Sequence, residues 1–510
     1  MKKDGKCTRR SFFKLMGGLG LGGAALTITG CANETIGGNG WLPQQYRAAA
    51  SWPVQVKGRI PLDADNPSLV RDDQKCILCG QCLQVCQNVQ SIYGYYELPI
   101  KSDITCVDCG QCALWCPTGA ITERDQVSQV EALLADDSKH VVVQTAPATK
   151  VALGEEFGMA AGSIVQGRQI AALRTLGFEG VFDTCFSADL TIREEAAELL
   201  ERLRRGGAIP QFTSCCPGWV KFCEYFYPDL LGHLSTAKSP QQMLGAVIKT
   251  YYAEQKGLQP KDIVSVAVMP CTAKKFECLR PEMNGAGRLL QQPELRDVDI
   301  VLTTRELAKL MKRQQLDFNG LPDQAQYDRI LGESTGAGVI FGATGGVMES
   351  AMRTAYYLVS GQKPPEDLLR WFPVRGLNGV KEAAVSIPGV GEVRVAVCHG
   401  LKNARIILDK VRKGEASWQF VEFMACPGGC IGGGGQPRTS LPPADDVRQA
   451  RIDALYTMDE KMAVKHASYE NQEVQQLYDR YLSQPLSGRA EQLLHTTFVD
   501  RSQLLTPKRK

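Results

Sequence analysis

The residues of this chain that are best suited to chemistry are cysteines, and two of them, Cys426 and Cys430, lie four residues apart in a glycine-rich loop. Glycine lets the backbone approach a bulky inorganic group closely and supplies N–H groups that can point at sulfur. Two incidental thiols in a loop are the alternative interpretation. It is weakened by Cys215 and Cys216 in one distant segment and Cys271 in another. Three separated cysteine segments indicate one cluster gathered from distant loops.

Eight further cysteines form two runs with the same spacing, C-x-x-C-x-x-C-x-x-x-C. This is the bacterial ferredoxin pattern for two [4Fe–4S] clusters, in which the fourth cysteine of each run ligates the other cluster. Paired zinc ribbons are a poor alternative, because zinc sites rarely chain such steps. The pattern assigns one cluster to Cys76, Cys79, Cys82 and Cys116, and the second to Cys106, Cys109, Cys112 and Cys86. Two clusters in series conduct electrons, so the sequence predicts a redox centre at their inner end.

The segments at residues 213–219, 269–277 and 422–430 resemble the three signatures of the catalytic subunit of [FeFe]-hydrogenases. The resemblance implies an H-cluster, which is a [4Fe–4S] cubane joined to a di-iron subcluster that carries carbon monoxide, cyanide and azadithiolate. The implied ligands of the cubane are Cys216, Cys271, Cys426 and Cys430. Cys430 would also bridge to the di-iron subcluster.

The resemblance also implies the surroundings of the di-iron subcluster. Lys274 would donate a hydrogen bond to a cyanide, whereas outside this motif a surface lysine is the plainer interpretation. Met269 and Met424 would line the pocket as soft apolar groups, although by pattern alone they are core residues. Ala146 and Pro147 would cover the pocket from the other side.

A proton relay is implied for the helix predicted at residues 189–205, which two glycines terminate. Glu195, Glu198 and Arg202 share one face of this helix, and periodicity alone favours a solvated, salt-bridged face. The resemblance reverses that interpretation and makes these residues part of a proton path. The implied order is Cys215, water, Glu195, Ser235, Glu198, Arg202 and solvent.

Three positions depart from the family pattern, namely Cys185, Ser187 and Arg193, where Asn, Gly and Met are usual. No ligand or relay residue is lost, so the departures concern groups behind the site. Of the 19 cysteines, 15 are assigned: twelve are predicted cluster ligands, one belongs to the relay and two lie in the N-terminal segment. The remaining thiols are predicted to be free and buried. They are Cys185, Cys223, Cys278 and Cys398.

The 510-residue chain has an ordinary globular composition, with 44% hydrophobic residues and a net charge of +3. No basic run is interleaved with aromatic residues, so nucleic-acid binding is not expected. The five histidines lack metal-ligand spacing and are predicted to be structural. From residue 140 onward, β-branched runs at 141–143, 263–269, 298–302 and 393–397 alternate with helical periodicity, which predicts an α/β catalytic domain with its cluster loops at strand ends.

The predicted organisation has five parts. They are a signal peptide at 1–30, a linker at 31–70, a bacterial-ferredoxin-like α+β domain at 71–125, the H-cluster domain at 138–440 and a helical C-terminal region at 451–510. The last part resembles the small subunit of these enzymes, fused here into one chain. Its amphipathic helices are expected to wrap the catalytic domain.

The N-terminal segment predicts export. Arg9 and Arg10 precede an apolar run at residues 15–28 and resemble a twin-arginine signal, with an uncleaved membrane anchor as the alternative. The sequence at residues 28–31 resembles a lipobox, which would make a lipidated Cys31 the first mature residue. A different peptidase could act after Ala50, although that position lies far beyond the apolar run. The expected location is periplasmic or extracytoplasmic, tethered to a membrane.

The predicted reaction is H2 ⇌ 2H+ + 2e−, in the direction of H2 uptake. Alternatives are a hydrogen sensor with little turnover and an iron–sulfur assembly or scaffold protein. The expected partners besides H2 and protons are the twin-arginine translocase, cluster maturation proteins and an electron partner such as a c-type cytochrome, a ferredoxin or a membrane redox protein. The complete relay with Cys215 at its start favours an enzyme.

Overall fold

The computed structural model describes residues 58–93, 105–438, 443–462 and 466–505. The predicted signal peptide, Cys31 and most of the predicted linker lie outside the described residues. The strands are β1 (Leu69–Arg71), β2 (Ile121–Glu123), β3 (His140–Thr145), β4 (Gly180–Asp183), β5 (Gln211–Phe212), β6 (Ile263–Met269), β7 (Ile300–Thr303), β8 (Val380–Ile387), β9 (Gly391–His399) and β10 (Phe420–Met424).

Helices connect most of these strands. They are α1 (Gln81–Asn88), α2 (Gln111–Leu114), α3 (Val127–Leu134), α4 (Gln166–Thr175), α5 (Thr184–Arg205), α6 (Pro217–Phe226), α7 (Pro240–Val247), α8 (Ala253–Lys256), α9 (Ala273–Glu277), α10 (Gly285–Leu289), α11 (Thr304–Arg313), α12 (Gly336–Ile340), α13 (Gly346–Ser360), α14 (Glu366–Leu369), α15 (Leu401–Arg412), α16 (Asp445–Lys461), α17 (Gln472–Leu477) and α18 (Gly488–Leu494). None of the helices in the described ranges has the length and apolar character that a membrane span requires.

Two four-stranded sheets form the catalytic half. One has the order β4-β3-β6-β7 and is parallel throughout, and the other has the order β5-β10-β9-β8, in which only β8 runs antiparallel. All seven residues of β6 are buried, as expected for a parallel strand covered on both faces. The predicted α/β class of this domain is confirmed, and the four predicted strand runs correspond to β3, β6, β7 and β9.

The helix that carries Glu195 and Glu198 begins earlier than predicted, at Thr184 instead of residue 189. Asp183 explains the difference, because its carboxylate accepts a hydrogen bond from the N–H of Cys185 at 2.9 Å and so caps the helix. At its other end α5 stops at Arg205, where Gly206 adopts the left-handed conformation with φ 80°, as the paired glycines predict.

Both cysteine runs lie in a small unit formed by residues 58–93 and 105–125, here called the cysteine-rich unit. In it β1 pairs antiparallel with β2. The predicted linker boundary at residue 70 falls inside β1. Ile60 and Leu69 pack in the same apolar core as Cys82, so residues 58–70 belong to this unit instead of to a linker.

The C-terminal helices α16–α18 lie against the catalytic half and are joined to it by buried polar contacts. Arg451 pairs with Glu155 at 2.7 Å, and the side-chain amide of Asn471 donates to the Asp189 carboxylate at 2.9 Å. Such contacts fix the register of a packed helix because an unpaired buried charge is costly. The tail is therefore an integral part of the catalytic half.

Candidate functional site

The carboxyl ends of parallel strands from both sheets meet at one cavity. Pro147 follows β3, Thr184 follows β4, Cys216 follows β5, Cys271 follows β6 and Cys426 follows β10. In open α/β sheets, ligands bind at this end of the strands. Every residue that the resemblance assigns to the H-cluster lines the cavity, together with Cys215. These residues are Ala146, Pro147, Cys216, Met269, Cys271, Lys274, Met424, Cys426 and Cys430.

Four thiols on the cavity wall form a donor set that suits a [4Fe–4S] cubane. Burial raises the pKa of Cys271 to about 12 and raises the pKa of Cys216, Cys426 and Cys430 as well. A thiolate at these positions therefore needs a compensating cation such as iron. The Sγ of Cys216 accepts a hydrogen bond from the N–H of Ala425 at 3.3 Å, which is a typical contact for a cluster thiolate.

Within the described ranges no three His, Cys, Asp or Glu side chains converge on a single metal ion. A cubane takes one thiolate at each of four corners, so its ligands do not have to converge in that way. The four thiols thus fit the cubane that the sequence implies.

The glycines of the cysteine loop allow backbone segments to approach one another closely. Gly429 has φ 91°, and a Cβ there would lie 2.7 Å from the N of Thr344. A Cβ on Gly433 would lie 2.2 Å from the carbonyl oxygen of Pro270. A side chain at either position would push the loops apart, so these glycines bring the cysteine segments together.

Lys274 is buried at the cavity wall. Its Nζ donates to the carbonyl oxygen of Cys215 at 3.0 Å and to Glu277 at 2.9 Å. Burial opposes the charge, but the Glu277 carboxylate raises the pKa of Lys274 above its ordinary value. The site therefore contains a fixed ammonium group, and Glu277 is the residue that sequence reasoning did not assign a role.

The outer part of the predicted relay is a continuous hydrogen-bonded cluster. The Oγ of Ser235 donates to Glu198 at 2.7 Å, and Arg202 donates to the other oxygen of that carboxylate at 2.7 Å. The N–H of Thr236 also donates to Glu198, at 3.1 Å. These groups are held by α5 and by the segment between α6 and α7.

Glu195 is a buried carboxyl group without a hydrogen-bond partner for either oxygen among the described residues. Burial, and then the nearby Glu198 carboxylate, raise the pKa of Glu195 to about 8. Buried polar atoms without protein partners are commonly satisfied by water. Cys215 lines the cavity and lies close enough to Glu195 for the carboxylate charge to act on its thiol, and the implied relay would join these two groups through a water.

This shifted pKa predicts a pH-dependent stability. Because the folded-state pKa of Glu195 near 8 exceeds the ordinary value of 4.5, the folded protein binds this proton more tightly and loses stability as pH rises between those values. Glu195→Gln should remove this loss of stability, because a glutamine side chain does not ionise. Denaturant unfolding of the cluster-free protein should show similar stability at pH 5 and a variant that is more stable by on the order of 2 kcal/mol at pH 9. An equal difference at both pH values would contradict the prediction.

The departures from the family pattern lie behind the cavity. Cys185 accepts a hydrogen bond from Lys150 at 3.3 Å, and Lys150 also pairs with Asp183. The guanidinium of Arg193 stacks on the ring of Tyr478 in the C-terminal region, 4.6 Å from its centroid. Ser187 donates to the backbone within α5. The predicted burial of the four unassigned thiols is confirmed: Cys185, Cys223, Cys278 and Cys398 are all buried.

In the cysteine-rich unit, thiols of the two runs lie close enough to one another to interact electrostatically. The thiols that act electrostatically on Cys82 are Cys79 and Cys116. The thiols that act electrostatically on Cys109 are Cys106 and Cys112 of the same run and Cys86 of the other run. Cys82 also acts on Cys86 and Cys112, so the two runs lie close together, and the division of their cysteines between two clusters stays a prediction from the spacing.

The cysteine-rich unit contacts the cavity loops directly. The Oγ of Thr272 donates to the carbonyl oxygen of Asp108 at 2.6 Å, and Gln111 donates to that of Gly432 at 2.9 Å. A Cβ on Gly434 would lie 2.2 Å from the carbonyl oxygen of Cys109. Cys109 is also among the thiols that act electrostatically on Cys426. The second cysteine run therefore lies beside the cavity, whereas Cys79 of the first run is exposed.

Comparison with known families agrees with this site. Residues 139–434 match the model of the iron-only hydrogenase large subunit, C-terminal domain, and residues 445–501 match that of the iron hydrogenase small subunit. The resemblance seen in the cysteine segments and in the tail is thus confirmed at the level of whole domains.

Individual relatives agree as well. The chain is 47% identical to the NADP-reducing hydrogenase subunit HndD of Solidesulfovibrio fructosivorans over 86% of this chain and 75% of that protein. It is 48% identical to the periplasmic [Fe] hydrogenase large subunit of Nitratidesulfovibrio vulgaris over 72% of this chain and 85% of that one. The structure of apo [FeFe]-hydrogenase HydA1 from Chlamydomonas reinhardtii is similar with a TM-score of 0.64 and 42% identity, covering 74% of this chain and 99% of that one. The chain belongs to the [FeFe]-hydrogenases, the iron-only hydrogenases, which are oxidoreductases acting on H2.

Proposed function

We propose that this hydrogenase oxidises H2 in the periplasm, sends protons through a side-chain relay and sends electrons through two [4Fe–4S] clusters to a redox partner. The observation that carries the proposal is the cavity lined by four buried thiols, by Cys215 and by Lys274. H2 oxidation requires one route for protons and one for electrons, and residues next to the cavity would supply both. Glu195 begins one route on α5, and the cysteine-rich unit begins the other.

Cys216, Cys271, Cys426 and Cys430 would hold the H-cluster, and Cys430 would bridge its two parts. The bound group supplies the electron-rich metal at which H2 is split. Glu277 keeps the Lys274 ammonium group charged at the cavity wall. There it would donate a hydrogen bond to a cyanide of the di-iron subcluster. Met269 and Met424, with Ala146 and Pro147 opposite, exclude water from the cavity by their apolar surfaces.

The relay residues hold and move protons. Cys215 has a neutral thiol, because burial raises its pKa well above the usual range. Glu195, with a pKa of about 8, gains and loses a proton near the working pH, which suits a carrier. Ser235 donates to Glu198 and lies close enough to Glu195 to lower the pKa of that carboxyl group, so its hydroxyl group, which can donate and accept at once, would pass protons between the two.

The electron route would end at the first cysteine run. Cys79 is exposed, and so are its apolar neighbours Ile77 and Leu78. Exposed large apolar side chains beside a cluster ligand suit a transient redox interface. A c-type cytochrome, a ferredoxin or a membrane redox protein would dock there and receive electrons.

A hydrogen sensor and an iron–sulfur scaffold are the competing functions. Neither needs the hydrogen-bonded cluster of Ser235, Glu198 and Arg202, which leads outward from the cavity. The deciding experiment is infrared spectroscopy of the matured protein together with H2 oxidation by methyl viologen. Metal-bound carbonyl and cyanide bands with rapid turnover are expected. Bands without turnover would favour the sensor, and the absence of both would favour the scaffold.

The location is proposed from the twin-arginine motif at Arg9 and Arg10 and from the periplasmic relative. We expect the mature chain to begin at a lipidated Cys31 and to partition with membranes, because two lipid attachments give stable anchoring. Mass spectrometry of the N-terminal peptide from the native host checks this. An unmodified peptide that begins elsewhere would show that the enzyme is not lipidated at Cys31.

A further inference from the structure

Arg202, the last member of the relay, cannot itself exchange protons with solvent. A guanidinium is not deprotonated in proteins. Its hydrogen bonds are also committed: Arg202 pairs with Glu198 and donates to the carbonyl oxygens of His233 and Leu234 at 3.1 and 2.7 Å. Arg202 therefore holds the Glu198 carboxylate and the neighbouring loop in place, and another group must pass protons between Glu198 and bulk water.

The route continues into a surface cleft beyond Glu198. The cleft has a volume of about 740 Å³, enough for many water molecules, and Glu198, Thr236 and His495 line it. His495 follows α18 in the small-subunit-like tail. The tail is fixed here by the backbone, because the N–H of Lys238 donates to the carbonyl oxygen of Leu494 at 2.7 Å and that of Thr496 to Thr236 at 2.8 Å.

Both ring nitrogens of His495 are placed by specific partners. Nδ1 forms a hydrogen bond with the Oγ1 of Thr236 at 2.8 Å, and Nε2 lies 3.1 Å from a carboxylate oxygen of Glu194. Glu194 is fully buried and also accepts hydrogen bonds from the hydroxyl group of Tyr478 and the N–H of Leu486. A carboxylate so fixed, together with the hydroxyl group of Thr236, holds the imidazole in one orientation beside the cleft.

We propose that His495 is the proton-exchanging group at the outer end of the relay, coupled to Glu198 through Thr236 and the water of the cleft. The inference rests on the proposed relay. During H2 oxidation, a proton leaves the Glu198 carboxyl group, crosses cleft water and protonates the imidazole, which then releases it to bulk solvent. Glu198 is left as a carboxylate and His495 is neutral again, so the sequence is balanced. During H2 evolution the steps run in reverse.

His495 faces charged groups from several elements. Glu194 contacts the ring, and the cleft contributes charged groups from α5, α10 and α18. These groups are Glu198, Glu201, Arg202, Arg288 and Glu491. Of the side chains that line the cleft, only His495 belongs to the type that ordinarily changes charge between pH 5 and 8.

The test uses the matured enzyme with methyl viologen as electron acceptor and a range of buffer concentrations. In weak buffer, His495→Ala should lower turnover by about 10-fold or more, within the range for removing a general acid–base group. Added imidazole, which can enter the open cleft, should restore most of the loss. The infrared bands should be unchanged. His140→Ala is the matched control, because His140 also bonds a glutamate and a hydroxyl group, Glu179 and Tyr252, but lies at the opposite end of β3 from the cavity.

Unchanged turnover of His495→Ala in weak buffer would overturn the inference, and so would a loss that imidazole does not restore, since that loss would be structural. Glu198→Gln separates this inference from the relay. If Glu198→Gln is fully active, the relay itself is wrong. If Glu198→Gln is inactive while His495→Ala is normal, the relay stands and only the role of His495 is wrong.

Discussion

Cys215→Ala is expected to lower H2 turnover by roughly 10²–10⁴-fold, the range for losing a proton-transfer group, while iron content and infrared bands stay nearly intact. Cys215 lines the cavity, and Lys274 contacts its carbonyl oxygen instead of its thiol. Removing the sulfur therefore leaves the lysine contact in place. A small side chain at this position keeps the fold but breaks the link between the cavity and Glu195.

The neighbouring residue provides the control. Cys216 is expected to be an iron ligand, so Cys216→Ala should lose the H-cluster and its infrared bands together with activity. Cys215→Asp should retain more turnover than Cys215→Ala, because a carboxyl group can also carry protons. Loss of the cluster in Cys215→Ala would make that residue structural. Full activity in Cys215→Ala would mean that protons leave by another route.

The sequence predicts ligands better than their surroundings, for a physical reason. Cysteine spacing is a local property, and the chemistry of iron–sulfur clusters restricts it strongly, so the ligand segments can be recognised without coordinates. The ion pair between Lys274 and Glu277 could also have been predicted from the sequence, because Glu277 lies three residues further along α9. The start of α5 at Thr184 could have been predicted as well, since aspartate is a favourable residue at the N-cap position that Asp183 occupies.

Long-range contacts could not be predicted in this way. The approach of Gly434 to Cys109 and the hydrogen bond between Thr272 and Asp108 join segments more than 150 residues apart. Likewise, the pattern around His495 gives no sign of Glu194 or Thr236, and the residue is interpreted from sequence as structural. Only the fold reveals that the tail lies beside the outlet of the relay.

The other large effect is expected for Cys430→Ser, which should abolish turnover and remove the carbonyl and cyanide bands. Cys430 lines the cavity next to Gly429, whose φ of 91° turns the loop at this position. If its sulfur joins the cubane to the di-iron subcluster, a serine hydroxyl group, which is a poor ligand for iron, cannot hold the second part. The clusters of the cysteine-rich unit have separate ligands and should keep their electron paramagnetic resonance signals.

Cys185→Ser is the matched control for this substitution. Cys185 is also buried in the catalytic half, but it bonds Lys150 and does not line the cavity. Its replacement should leave the bands and most of the turnover, so a loss specific to Cys430→Ser reports on iron ligation instead of on the removal of any buried thiol. Retained carbonyl and cyanide bands in Cys430→Ser would show that the di-iron subcluster is held by other contacts, such as those of Lys274, Met269 and Met424.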